Sequence, residues 1–159
     1  MKQYDTSAIA IRKLCPNDVE EVSRLVRSTL SDINSKDYSA RVIHNLYDYY
    51  SPMAILEMSQ NRLIFVAIKN NQIVGTVSLK DNFIFTLFVD STKLHQGIGT
   101  LLMKHVELYA RQQGHLSVKV LSSVTAYPFY QQVEYHTTDL RESEKYGNVI
   151  VMEKQMIHT

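Results

Sequence analysis

The sequence predicts an α+β domain built on a mixed sheet, and three observations lead there. Three strand-like segments follow one another between residues 63 and 89, separated only by Asn70-Asn71 and Asp81-Asn82. Asn and Asp tolerate positive φ, so both pairs suit the tight turns of antiparallel hairpins. Beyond Val89 the hydrophobic period lengthens to that of a helix and then returns to that of a strand, a β-α-β crossing. With 159 residues, 45% hydrophobic content and a net charge of +1, the chain is too apolar and too nearly neutral to be disordered.

Each element has its own signal. Ile9 to Leu14 alternates as a strand, and Pro16-Asn17-Asp18 ends it. Val22, Leu25, Val26, Thr29 and Leu30 recur at helical spacing, with Asn17 and Glu20 placed to form a capping box. A second helical stretch starts near Ser39 with Val42, Ile43, Leu46 and Tyr50 on one side, breaks at Ser51-Pro52, and resumes from Ala54 to Met58. Leu63 to Lys69 is a wholly apolar strand; Ile73, Gly75, Val77 and Leu79 are expected on one face of the returning strand, and Phe83 to Val89 is the third. The helix from Thr100 to Gln113 buries Leu102, Val106, Tyr109 and Ala110 and stops at Gly114. A strand over Leu116 to Leu121, a short helix over Pro128 to Val133, and strands over Thr137 to Leu140 and Val149 to Lys154 complete the chain. No repeat or linker interrupts it, so one domain over residues 1–159 is expected.

Composition also excludes whole classes of function. Seventeen basic against sixteen acidic residues leave no electrostatic footprint for nucleic acid. The lone Cys15 excludes an intrachain disulfide or a multi-cysteine zinc site, and beside Pro16 it is expected to be a small buried hydrophobe. His95, His105 and His115 fall in a turn, on a helix and after its end, so no metal site is expected. Met1 to Ala10 lacks the apolar core of a signal peptide, and Leu63 to Ile68 is far shorter than the roughly 20 residues that span a bilayer. A cytoplasmic protein with no membrane partner is the expectation.

The most informative segment is Val89-Asp90-Ser91-Thr92-Lys93-Leu94-His95-Gln96-Gly97-Ile98-Gly99-Thr100. A buried strand feeds a loop with two glycines one residue apart, which opens onto an amphipathic helix. Uncapped N–H groups and the positive end of the helix dipole converge there, and glycine lets an anion approach the backbone. No Walker A string exists, and a dinucleotide fold would need a third glycine where Leu102 stands. A plain helix-opening turn is the alternative.

At these residues the chain resembles the GNAT superfamily of acetyl-CoA-dependent N-acyltransferases. Leu94-His95-Gln96-Gly97-Ile98-Gly99 is similar to the family's Gln/Arg-x-x-Gly-x-Gly/Ala motif at both glycines, with Leu94 in place of the first polar residue. Ser123 through Tyr135 overlays the family's Asn-x-x-Ala-x-x-Phe-Tyr-x-x-x-Gly-Phe motif without a gap; Ala126, Phe129 and Tyr130 match, while Ser123, Glu134 and Tyr135 depart from it. The resemblance covers roughly Ile9 to Lys154. It implies a GNAT fold: a mostly antiparallel sheet of about seven strands flanked by about four helices, ordered β-α-α-β-β-β-α-β-α-β-β.

The same resemblance implies acetyl-CoA as co-substrate, a small-molecule or peptide amine as acceptor, direct transfer without an acyl-enzyme, and a homodimer as in many relatives. Phosphates would sit on Leu94, His95, Gln96, Gly97, Ile98, Gly99 and Thr100. The pantetheine arm would run along Leu87, Phe88 and Val89 toward Ser123 and Phe129, with the oxyanion held by backbone N–H groups near Phe88 and Val89. Tyr130 would protonate the departing sulfur; the alternative is that it only packs the last helix. Many relatives carry a Glu on the fourth strand as base, whereas Phe83 to Phe88 has no carboxylate. Asp90, Glu57 and His44 are weaker candidates, with turn or surface roles as alternatives, and Tyr47, Tyr49 and Tyr50 could hold an ammonium or simply pack. Arg141 to Lys145 reads as a solvated loop. A non-catalytic acyl-CoA sensor and a longer acyl donor remain as other readings.

Overall fold

The structure, a computed structural model, describes residues 8–156. It is a seven-stranded sheet in the order β1-β2-β3-β4-β5-β7-β6. The strands are β1 (Ala10–Lys13), β2 (Leu63–Lys69), β3 (Gln72–Lys80), β4 (Phe83–Val89), β5 (Ser117–Ser122), β6 (His136–Arg141) and β7 (Val149–Gln155). The helices are α1 (Val19–Asp32), α2 (Ala40–Tyr49), α3 (Pro52–Met58), α4 (Ile98–Gln112) and α5 (Tyr127–Gln132). Every neighbouring pair is antiparallel except β4 and β5.

Five helices stand where about four were expected, because the second helical stretch divides fully at Ser51. Each half has its own serine cap: Ser39 Oγ accepts from the Val42 N–H at 3.2 Å, and Ser51 Oγ from the Ala54 N–H at 3.1 Å. Pro52, with no N–H to satisfy, occupies the first turn of α3.

Two cores cover the two faces of the sheet. One packs α4 and Tyr130 of α5 against Phe65, Val77, Leu79 and Val120; the other packs α1 and α3 against Ile64, Val66 and Ile73. Ile73 therefore lies opposite Val77 and Leu79, not beside them as expected. Ile68 pairs with Ile73 while Ala67 pairs with Gly75, leaving Val74 as an extra residue. That bulge reverses the side-chain alternation.

The start of α1 also differs from expectation. A 3₁₀ turn over Pro16–Asp18 carries the chain one residue further, so the Asn17–Glu20 capping box does not form. Asp18 closes the 3₁₀ turn instead: its carboxylate accepts from the Cys15 N–H at 2.7 Å and from both terminal nitrogens of Arg12 at 2.7 and 3.0 Å. The Arg12 hydrogen bond holds the Asp18 pKa below the ordinary carboxylate value, against the opposing effect of burial. Cys15 is exposed rather than buried, at the surface of a turn whose inward side chain is Asp18. Among the described residues no helix is long and apolar enough to cross a membrane.

Candidate active site

The site is created by a defect in β4. Ser78 pairs with Phe85 and Thr76 with Phe88, so Thr86 and Leu87 together oppose Val77. Thr86 sits at φ 55°, a left-handed conformation that costs a β-branched residue about 1–3 kcal/mol. This bulge bends the strand. β4 and β5 pair only at Phe83↔Lys119 and Ile84↔Val120, and beyond Ile84 they separate. The gap forms part of a cleft of about 910 Å³, within the range that holds a small ligand.

One end of the cleft is the glycine turn. Gly97 at φ 82° lets the chain reverse into α4, which begins at Ile98, two residues before the expected start. The first bond of the helical ladder runs from the Leu101 N–H to the Gly97 carbonyl at 3.0 Å. The N–H groups of Ile98, Gly99 and Thr100 precede that ladder, and no N-cap side chain satisfies them. They form a cradle of donors at the positive end of a 15-residue helix. Gly99 packs closely: a Cβ there would lie 3.3 Å from Phe129 Cζ.

Leu87, Phe88, Val89, Leu94, His95, Gly97, Ile98, Gly99, Thr100, Ser123, Phe129 and Tyr130 all line this one cleft. Gln96 is in the same turn but not on the lining. Lys93, which sequence reasoning left aside, adds a cation beside the cradle; its position inside the turn was the available signal. Ser123 spends part of its hydroxyl on the chain itself, accepting from the Ala126 N–H at 3.0 Å.

Tyr130 is only 4% exposed and meets Phe129 and Tyr135 edge-on at 5.4 and 5.8 Å. Burial, then the nearby Tyr50, push its pKa far above the ordinary tyrosine value. Tyr50 is pushed up to about 12, chiefly by burial, against the opposing influence of the Thr86 side chain and the Arg62 charge. Both phenols are therefore protonated at neutral pH, able to donate a hydrogen bond but not to act as bases.

The far end of the cleft is aromatic. Tyr49 and Tyr50 meet at 4.9 Å, Tyr50 meets Phe88 at 5.5 Å, and Tyr49 meets Tyr146 at 5.2 Å. Tyr47 lies elsewhere, with the Arg27 guanidinium 5.6 Å from its ring. The loop after β6 has exposed charges, as expected, but its backbone is anchored over α2: Asn45 Nδ2 donates to the Lys145 carbonyl at 2.9 Å. Tyr38 accepts from the Val124 N–H at 2.9 Å and donates to the Asn148 carbonyl at 3.3 Å. Arg62 lies over the Phe85 ring at 4.7 Å, and its Nε is buried without a hydrogen-bond partner. An unmade bond of that kind costs about 1–3 kcal/mol. No motif in the sequence marks Arg62.

Among the described residues lining the cleft, none is Asp or Glu. Asp90 caps a turn, accepting from the Thr92 N–H and hydroxyl at 2.9 and 2.8 Å. Glu57 is exposed, and His44 is exposed beside Asp48 at 3.8 Å; neither lines the cleft. His105 packs edge-on against Phe65 at 4.8 Å, with burial lowering its pKa. Among the described residues no three His, Cys, Asp or Glu gather as a metal site.

The fold that carries this cleft is shared with solved structures. The chain superposes on the GCN5-related N-acetyltransferase of Rhodopseudomonas palustris with a TM-score of 0.90 at 19% identity, covering 98% of this chain and 99% of that one. On the PaiA N-acetyltransferase of Thermoplasma acidophilum in complex with coenzyme A the TM-score is 0.79 at 22% identity, covering 93% and 99%. In sequence it is 26% identical over 139 residues to the uncharacterized N-acetyltransferase YafP of Escherichia coli K12, spanning 87% of this chain and 89% of that protein. Residues 34–156 match the family model described as acetyltransferase (GNAT) domain, and the chain belongs to that family of acyltransferases.

Proposed function

We propose that the protein transfers the acetyl group of acetyl-CoA directly onto a primary amine of a small molecule or peptide. The observation that carries this reading is the row of unpartnered N–H groups at Ile98, Gly99 and Thr100, continuous through the cleft with the β4–β5 split and Tyr130. The coenzyme A complex of the PaiA enzyme, whose fold this chain shares, supports it.

In this reading the turn from Leu94 to Thr100 holds the pyrophosphate, with Lys93 adding charge. The pantetheine arm lies along the freed edge of β4 at Leu87, Phe88 and Val89, bordered by Ser123 and Phe129. The neutral amine attacks the thioester carbonyl, a C–N bond forms, and the C–S bond breaks. Backbone N–H groups near Phe88 and Val89 steady the oxyanion, and Tyr130 donates to the sulfur. The proton that finally resides on the thiol comes from the amine, so the reaction balances without a protein carboxylate. Acceptor deprotonation is the demanding step: an amine of pKa about 10.4 is neutral in about one molecule in 2,500 at pH 7. Cleft water is left to carry that proton away, and the Arg62 charge disfavours an ammonium beside it.

Thiol release from acetyl-CoA across a panel of amines, together with the thermal shift produced by CoA, tests the proposal. Stabilisation by CoA with turnover of at least one amine class is expected. The carboxylate-free cleft favours one second reading, a non-catalytic acyl-CoA sensor, which would show the thermal shift with no thiol release on any amine.

A further inference from the structure

Resting on the transferase reading above, we propose that the acceptor amine also carries a carboxylate, which Arg62 recognises. Four observations meet at this residue. First, Arg62 immediately precedes β2, and Leu63 pairs with Leu79, which pairs with Ile84, so it stands at the start of β4. The phosphate cradle follows the other end of that strand, so Arg62 is set apart from the cofactor's own anions. Second, the guanidinium carbon lies 4.7 Å from the centroid of the Phe85 ring, a cation–π contact that holds the charge at the wall of the cleft. Third, its Nε–H is buried without a partner, whereas the other buried side-chain polar atoms among the described residues are satisfied. A ligand oxygen reached by a small movement of the side chain would supply the missing acceptor. Fourth, no Asp or Glu among the described residues lines the cleft, so no protein group neutralises this cation.

The consequence is selectivity. A purely cationic amine meets an uncompensated guanidinium and finds no carboxylate to pair with. An amino acid or a similar acidic amine brings its own counter-ion, and its apolar part can lie against Tyr49, Tyr50, Phe85 and Tyr146. Tyr50 lines the same cleft as Arg62 and Tyr130.

The test compares acid and neutral partners of equal shape on the full chain. L-phenylalanine is set against its amide and against phenethylamine, and 4-aminobutyrate against butylamine, with thiol release as the readout. At least one acid should exceed its neutral partners by about tenfold or more in kcat/KM, mainly through KM. Arg62→Gln should lower turnover of that acid by roughly 10- to 100-fold, the range of a lost charged hydrogen bond, with Arg62→Lys recovering part of it. Equal or better use of the neutral amines, or an acid preference that survives Arg62→Gln, overturns the proposal. The CoA thermal shift shows whether each variant is folded. If no amine is turned over, the transferase reading fails by itself. Arg62 is then judged by calorimetric titration of 3-phenylpropanoate and 3-phenylpropanamide onto the CoA-bound protein. Acid-selective binding that disappears in Arg62→Gln upholds anion recognition, and equal binding or none refutes it.

Discussion

Two groups of buried polar side chains in this protein behave in opposite ways. Glu107 on α4 accepts from the Tyr135 hydroxyl at 2.8 Å and from Lys154 Nζ at 3.3 and 3.4 Å. Lys154 also lies 5.6 Å from the Tyr135 ring. Burial and the neighbouring Glu107 push the Tyr135 pKa well up, and donor and acceptor are matched within the set. In the cleft Tyr130 is buried and Tyr50 half-buried, and the same cleft holds an unpartnered Arg62 Nε, three uncapped amides and, among the described residues, no carboxylate. The first group is closed and joins α4 to β7. The second is an excess of donors, which is what a site for anionic ligands and a developing oxyanion requires. Unsatisfied polarity separates the cleft from the closed cluster; burial alone does not.

The contrast can be broken from either side. The largest effect is expected at Tyr130→Phe: turnover should fall roughly 10²–10⁴-fold while CoA affinity stays nearly constant. A loss under about threefold would make Tyr130 a packing residue like Tyr135. Because the Tyr130 and Tyr50 hydroxyls stay protonated, kcat/KM should rise as the acceptor amine deprotonates, with no descending limb below about pH 10. A fall between pH 8 and 9.5 would assign proton donation elsewhere.

Next in size, Glu107→Ala strands Lys154 and the Tyr135 hydroxyl and should destabilise the fold by about 2–4 kcal/mol in denaturant titration. The same variant should leave kcat unchanged per folded molecule; a matching loss of kcat would join the two groups functionally. Gly99→Ala places a methyl group 3.3 Å from Phe129 Cζ. Overpacking of that order costs about 1–2 kcal/mol, and it should appear as weaker CoA binding with little change in kcat for saturated enzyme. The smallest effect concerns Asp18. Its pKa is depressed in the folded state, so the stability it contributes is present above the unfolded carboxylate pKa of about 3.9 and is lost as pH falls through the folded value. Asp18→Asn should therefore cost about 1 kcal/mol at pH 7, and the difference from wild type should close in acid.

Much of this architecture follows from neighbours in the chain. Leu63–Lys69 and Phe83–Val89 form strands over their predicted bounds, because apolar runs of that length flanked by Asn and Asp turns have few other solutions. Asn70 and Asn71 take φ of 51° and 62°, as a tight hairpin demands of residues that tolerate it. Ser39 and Ser51 cap the helices they precede. The glycines at 97 and 99 mark the cradle because the backbone geometry there is local.

What the chain order alone determined, then, is the order of strands and helices, the hairpins and the glycine cradle: all depend on interactions between residues a few positions apart, although the Asn17–Glu20 cap expected from the same kind of pattern does not form. Tertiary structure decided the rest. The bulge that turns Ile73 to the other face and the one that places Thr86 at positive φ arise from cross-strand register. That Cys15 is exposed while Asp18 is buried is likewise not written in the local pattern. The aromatic end of the cleft is assembled from Tyr50 with Phe88, and the loop over α2 is held by Asn45 with Lys145, contacts spanning large stretches of chain. Whether a polar group such as Arg62 Nε or Glu107 finds a partner is settled only when those distant segments meet, and no local pattern records the outcome.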